Sequence, residues 1–304
     1  MKRICMIMAV MLAAAFCMNA QENTKTYKFG DIKSIDAGYS YKVYVTTGAS
    51  KEVTVVYDKE LEDYMIVNYS PMGSELVLRM DDLPRRLRNG NFSNIKVYVS
   101  MNEIKDIELS GAASVSFDGQ YKASDLEIDL SGAASLNGLV VTANTLSADC
   151  SGAASFSIEG AFKGDVEMEL SGAVKGRFRG KGRNFDAELS GACNLDAGID
   201  FKNCNLDCSG ASKAEFAGKA ERLSVEGSGA CSIDAKDLDT EYASVDLSGA
   251  SKAKVNAEKE LRYDIPRSCK ITYYGDAELI NLSEESNVVR RNKDSSIIRD
   301  SYTM

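Results

Sequence analysis

Two sets of chemically capable residues recur at nearly fixed spacing along this sequence. Ser-Gly-Ala begins at Ser110, Ser131, Ser151, Ser171, Ser190, Ser209, Ser228 and Ser248, with spacings of 19 to 21 residues. Two residues before each serine stands an acid: Glu108, Asp129, Asp149, Glu169, Glu188, Asp207, Glu226 and Asp246. Aligned hydroxyls suggest nucleophiles, and aligned carboxylates suggest cation binding or general acid–base work. The chain has no histidine, which removes Ser-His and Cys-His pairs, histidine bases and histidine-bound metals together. No lysine stands at a fixed offset from the serines either, so they read as a corner ladder of hydroxyls. The acids read first as a solvated face that keeps the protein soluble. Their functional reading is weak, exchangeable cation binding, because calcium needs six or more oxygens in a cage and a flat row supplies few.

Basic side chains concentrate in two places. Lys175, Arg177, Arg179, Lys181 and Arg183 alternate along one segment and would share a strand face, a candidate contact for an anion or sugar. The plainer reading is that they offset acids on neighbouring repeats, Glu159 standing one repeat before Arg179. Arg85-Arg86-Leu87-Arg88 forms the second cluster.

The element that must carry these residues is a strand. Before each triplet, apolar residues alternate with polar ones, as in Leu126, Ile128, Leu130 or Val166, Met168, Leu170. That is the period of two of a half-buried strand. After each triplet a small residue opens a second alternating run. A propeller blade needs roughly twice this length, the leucine-rich frame is absent, and no sixfold substructure marks a hexapeptide helix. The expected architecture is therefore all-β: a right-handed parallel β-helix of eight to nine coils of ~20 residues, with equivalent strands ~4.8 Å apart. Glycine at the corner fits a positive φ or close approach between coils. The composition agrees, being 44% hydrophobic but only 8% aromatic, which suits thin repeated layers better than one broad core.

The remaining chain divides around this array. Residues 1–20 read as a signal peptide, with Lys2 and Arg3 before an apolar run and Ala20 at the cut. Residues 21–105 form an N-terminal β region, with strands at Tyr41–Val45, Val53–Val56, Leu76–Leu78 and Ile95–Val99 and a helical turn near Leu61–Met65. The repeat array spans 106–280 and ends in a decayed ninth repeat at Tyr263–Ser268, where Pro266 takes the serine position. Residues 281–304 form a C-terminal cap and loose tail. No later segment reaches the ~20 apolar residues of a spanning helix. The formal charge of −9 becomes −11 without Lys2 and Arg3, which disfavours nucleic acid and anionic lipid as partners.

Six cysteines follow residue 20: Cys150, Cys193, Cys204, Cys208, Cys231 and Cys269. Cys193, Cys231 and Cys269 share a phase on alternate coils, ~10 Å apart, beyond disulfide reach. The favoured reading is buried free thiols, with a cross-corner pair such as Cys208–Cys231 left open. With neither histidine nor Cys-x-x-Cys, no metal site and no cofactor is expected.

The signal peptide, the segment from Ile35-Asp36-Ala37-Gly38 to Val45-Thr46-Thr47-Gly48, the strand Val97-Tyr98-Val99, Ile107-Glu108-Leu109-Ser110-Gly111-Ala112 and the recurring triplets together resemble the head GIN domain family. Its members are labelled auto-transporter adhesins of exported bacterial proteins. The likeness covers Phe29 to Val289. It implies an all-β solenoid and an extracytoplasmic life (periplasm, outer surface or secreted), and little about chemistry; the expected partner is an unidentified glycan or protein ligand of the cell surface or envelope. It brings no catalytic residues. The expected function is a non-catalytic binding and adhesion module. Its alternatives are a carbohydrate-active β-helix enzyme, a lyase or hydrolase, and a structural envelope protein.

Overall fold

The computed structural model describes residues 22–84, Leu87, 95–283 and 287–290. The signal peptide, Arg85, Arg86, Arg88 and the end of the tail lie outside them.

The repeat folds as a parallel β-solenoid of about nine turns. In each coil the run before the triplet pairs in register with its equivalents above and below. Leu126, Ile128 and Leu130 oppose Leu146, Ala148 and Cys150, which oppose Val166, Met168 and Leu170. These side chains are all buried, so the alternating apolar positions form vertical stacks inside the coil. The run after the triplet stacks likewise, Ser155–Phe162 lying between Ser135–Ala143 and Lys175–Gly191. Five phenylalanines, Phe162, Phe178, Phe185, Phe201 and Phe216, thicken the middle of the core through ring contacts of 5.2 to 6.3 Å.

The triplet forms the corner, and its glycine is required twice over. All eight triplet glycines have positive φ. A Cβ on Gly191 would also sit 2.6 Å from the carbonyl oxygen of Gly172 in the coil before it. The corner is that tight because the following alanine donates its N–H to the same oxygen, Ala192 N to Gly172 O at 2.7 Å. Both steric reasons expected from the sequence apply at one position.

The stack starts before the first triplet. Strand Ser34–Ala37 pairs in parallel with Asp106–Leu109, and Tyr39, at φ 58°, occupies the corner beneath Gly111. Strand Glu75–Met80 lies on the other side of Ser34–Ala37, and Ile95–Met101 lies beside Tyr41–Thr47. Antiparallel strands close this end: Glu52–Asp58 pairs with Ile95–Met101 and with Glu22–Lys28, and Met65–Ser70 pairs with Glu75–Met80. The helical turn is a 3-10 turn over Lys59–Tyr64 that buries Leu61. At the far end Asp264 pairs with Asp246, placing Pro266 at the serine position. Ser248 N donates to Gly227 O in the ladder, and proline cannot make that bond one coil later. The stack nevertheless continues through Lys270–Tyr274 and Glu278–Asn281 to Val288–Arg290.

Candidate functional site: an outward row of carboxylates

Each ladder acid sits on a strand whose flanking residues point inward, so the period of two turns it outward. The register places the acids directly above one another from Glu108 to Asp246. The row is longer than the triplets indicate. Asp36 opposes Glu108 at one end and Asp264 opposes Asp246 at the other, giving ten carboxylates in line. Both additions were readable from their alternation, Ile35-Asp36-Ala37-Gly38 and Tyr263-Asp264-Ile265; the lack of a following Ser-Gly-Ala hid them.

Only the first two acids are ion-paired among the described residues. Arg79, from the strand beneath Ser34–Ala37, brings Nη2 to 2.6 Å from Asp36 Oδ2 and 3.5 Å from Glu108 Oε1, and donates Nη1 to Ser110 Oγ. Asp36 is 8% exposed. Burial pushes its carboxyl up to about 6 against the pull of Arg79, with the Glu108 charge adding to the rise. Asp129 is also raised, first by burial and then by Asp149, Glu108 and Glu127. From Asp129 to Asp264, no Lys or Arg forms an ion pair with any ladder acid among the described residues. The row borders an open groove of about 680 Å³ whose other wall is the corner serines.

Three of those serines are occupied as ladder groups. Ser131, Ser209 and Ser248 donate their hydroxyls to the carbonyls of Leu109, Leu189 and Gly227 in the preceding coil. The acids stand in a line, and among the described residues no three His, Cys, Asp or Glu side chains converge as a metal cage.

All five side chains of the basic stripe are exposed along Lys175–Gly191. Glu159 does oppose Arg179 in register, but the ion-pair partner is Asp196, on the following coil. Arg179 holds both Asp196 carboxylate oxygens at 2.8 and 2.9 Å and donates Nη1 to the carbonyls of Phe178 and Asp196. Arg177 lies 3.6 Å from the same carboxylate. Arg183 grips Asp165 with two hydrogen bonds and lowers its pKa. The offsetting role therefore fits, with a different partner, because the coil places a side chain as close to the next strand as to the last. Lys175 and Lys181 have no ion pair among the described residues.

The six cysteines are free and buried. Cys208 and Cys231 meet without a bond between sulfurs: Cys231 Sγ donates to Cys208 O at 2.9 Å and to Ser228 O. Burial pushes the Cys150 thiol up to about 12 and raises Cys204 and Cys208 as well, so all three are held as thiols.

The family described as "Putative auto-transporter adhesin, head GIN domain" matches residues 31–178 and 164–277. The chain belongs to that family. Among solved structures, a putative adhesin from Parabacteroides merdae shares 13% identity at a TM-score of 0.46, covering 90% of this chain and 96% of that one. A putative adhesin from Parabacteroides distasonis shares 15% identity at 0.46, covering 90% and 97%. A protein titled a putative lipid binding protein, also from Parabacteroides distasonis, shares 17% at 0.39, covering 90% and 98%. No curated protein matches. Among the described residues no helix is long and apolar enough to cross a membrane.

Proposed function

We propose that the protein is an exported, non-enzymatic binding and adhesion module that meets its partner across the outer face of the solenoid. Residues 1–20 would be its signal peptide, 21–105 and 281–304 its caps, and 106–280 its binding array. The observation that carries this reading is the exposed stretch of the acid row from Asp129 to Asp264, which has no ion pair among the described residues. Such an exposed charge row is available to cationic groups, whether mobile cations held weakly or basic side chains of a surface protein. Contacts of this kind accumulate over several coils, so affinity comes from summation. An enzyme on the same scaffold would need one acid–base pair at one place.

Two assays separate these cases. The protein without residues 1–20 is applied to a glycan and matrix-protein array, and separately tested for release of reducing ends or unsaturated products from a polysaccharide panel. Binding without turnover is the expected result. Turnover that disappears when Glu159, Glu167 or Glu169 alone is changed to Gln would overturn it in favour of the enzyme.

A further inference from the structure

The acid row occupies one edge of the strand that precedes each triplet; two other outward rows run beside it, and their chemistry changes along the stack. The middle row reads Asp106, Glu127, Ser147, Glu167 and Asp186 over the first coils. It then becomes Asn205, Ser224, Ser244 and Arg262. The outer row changes one coil earlier, from Asp165 through Asn184 and Asn203 to Arg222 and Tyr242. Two adjacent serines among longer neighbours leave a depression of about 650 Å³. Apart from Ser147, the middle row is carboxylate up to Asp186 and carries none from Asn205 to Arg262.

The groups around the depression are held in place before any ligand arrives. Arg183 and Asn184 both bond Asp165, and Asn203 Nδ2 donates to Asn184 Oδ1 at 2.7 Å. Asn205 Nδ2 donates to Asp186 Oδ1 at 2.5 Å. Each chain fixes an amide whose Oδ1 is left as an acceptor, and fixed groups lose little entropy on binding. The hydroxyls of Ser224 and Ser244 make no side-chain hydrogen bond among the described residues, and each offers a donor and an acceptor. Tyr242 lies between the Arg222 guanidinium and Lys259 ammonium, 5.5 and 5.4 Å from its ring centre.

The charges select the ligand class. Arg222 is paired with Glu221, Lys259 with Glu241, and Arg262 with Glu260, so the cations at the rim are already engaged. Asp207, Glu226 and Asp246, with no ion pair among the described residues, run along the other edge and repel anions. What remains unmatched is a set of neutral donors and acceptors beside an aromatic ring. We infer that this depression, built on Asn203, Asn205, Arg222, Ser224, Tyr242 and Ser244, is a binding site for an uncharged saccharide. The inference rests on the binding-module reading and assigns it a ligand class and a second, separate place.

The test uses an array of uncharged oligosaccharides with their sialylated and uronic-acid counterparts, and Ser224→Glu, Ser244→Glu and Tyr242→Ala variants. Glutamate already occupies the middle row at Glu127 and Glu167, so the serine variants suit the fold. Ser147→Glu, in the same row but away from the depression, is the control. Wild type and Ser147→Glu should bind an uncharged oligosaccharide equally, and the three depression variants at least tenfold more weakly with unchanged circular dichroism. Retained binding in those variants, an equal loss in Ser147→Glu, or preference for the anionic sugars would overturn the assignment. No glycan binding alongside retained binding of poly-lysine would overturn the saccharide site and leave the binding-module reading standing.

Discussion

Replacing Gly191 by Ala should destabilise the solenoid through two terms that separate experimentally. The first is conformational: φ is +92° at Gly191, and an L-residue in left-handed backbone costs about 1–2 kcal/mol. The second is contact between coils, because the new Cβ would stand 2.6 Å from Gly172 O, a backbone atom that cannot rotate away. Opening the corner to relieve it sacrifices the Ala192 N to Gly172 O bond, worth about 1 kcal/mol, along with part of the packing beneath it. The sum is about 3 kcal/mol or more, which for a chain of this size lowers Tm by roughly 5 °C. Gly138 has φ +71° but meets only Phe117 O, at 3.1 Å, so Gly138→Ala should cost the conformational term alone, about 1–2 kcal/mol. Gly73 has neither problem, its nearest neighbour being Glu75 Cβ at 3.5 Å, and Gly73→Ala should be neutral. Gly191→Asn completes the set: asparagine tolerates the left-handed region but carries the same Cβ, so it should recover less than half the loss. Thermal melts followed by circular dichroism measure all four. Equal losses at Gly191 and Gly138, or a Gly191→Asn protein that melts with wild type, would refute the claim that contact between coils enforces the glycine ladder.

The acid row should make stability depend on screening. Tm should rise with moderate salt, and Glu169→Gln with Glu188→Gln should raise it at low salt by a few tenths to about 1 kcal/mol per charge; a destabilised double variant would show that the carboxylates have partners. Mild acidification should stabilise the fold. Asp36 is raised to about 6 in the folded protein and Asp106 and Asp129 are raised too, so the folded state binds more protons than the unfolded chain between about pH 6 and 4. Stability then increases as pH falls through that window. Asp36→Asn should flatten the rise in a series of melts, and an unchanged profile would contradict the burial of that carboxyl. Cys150, Cys204 and Cys208 should resist iodoacetamide in the native protein and react fully in denaturant by mass spectrometry, because burial keeps them protonated; fast native labelling of Cys204 would contradict this.

The coil was legible because its causes are local and repeat. Alternation at Leu126, Ile128 and Leu130 turns the acids outward, and glycine at one phase fixes the corner, so spacing alone defined the stack. Its ends were less legible. Asp36 and Asp264 fall in coils whose corners are Gly38-Tyr39-Ser40 and Pro266-Arg267-Ser268, where tertiary stacking substitutes for the motif. Arg79 reaches the row from a strand that pairs across more than forty residues of sequence, a relation no local period encodes. The partner of Arg179 was misjudged for a related reason: a stacked strand has two neighbours, and side-chain direction chooses between Glu159 and Asp196. The change from carboxylate to amide and hydroxyl along the middle row was present in the sequence, but it becomes a depression only once register aligns Ser224 with Ser244.

In the proposed function, partners are met by an extended row whose contacts add up. This is tested most directly by measuring binding to immobilised poly-lysine as successive acids from Asp129 to Asp264 are neutralised, against a control losing the same number of charges elsewhere, such as Glu52, Glu60, Glu62 and Asp63. The account predicts a graded, salt-sensitive loss of affinity that follows the row and exceeds the loss in the charge-matched control. Equal losses in row and control, or abolition by one substitution alone, would contradict it.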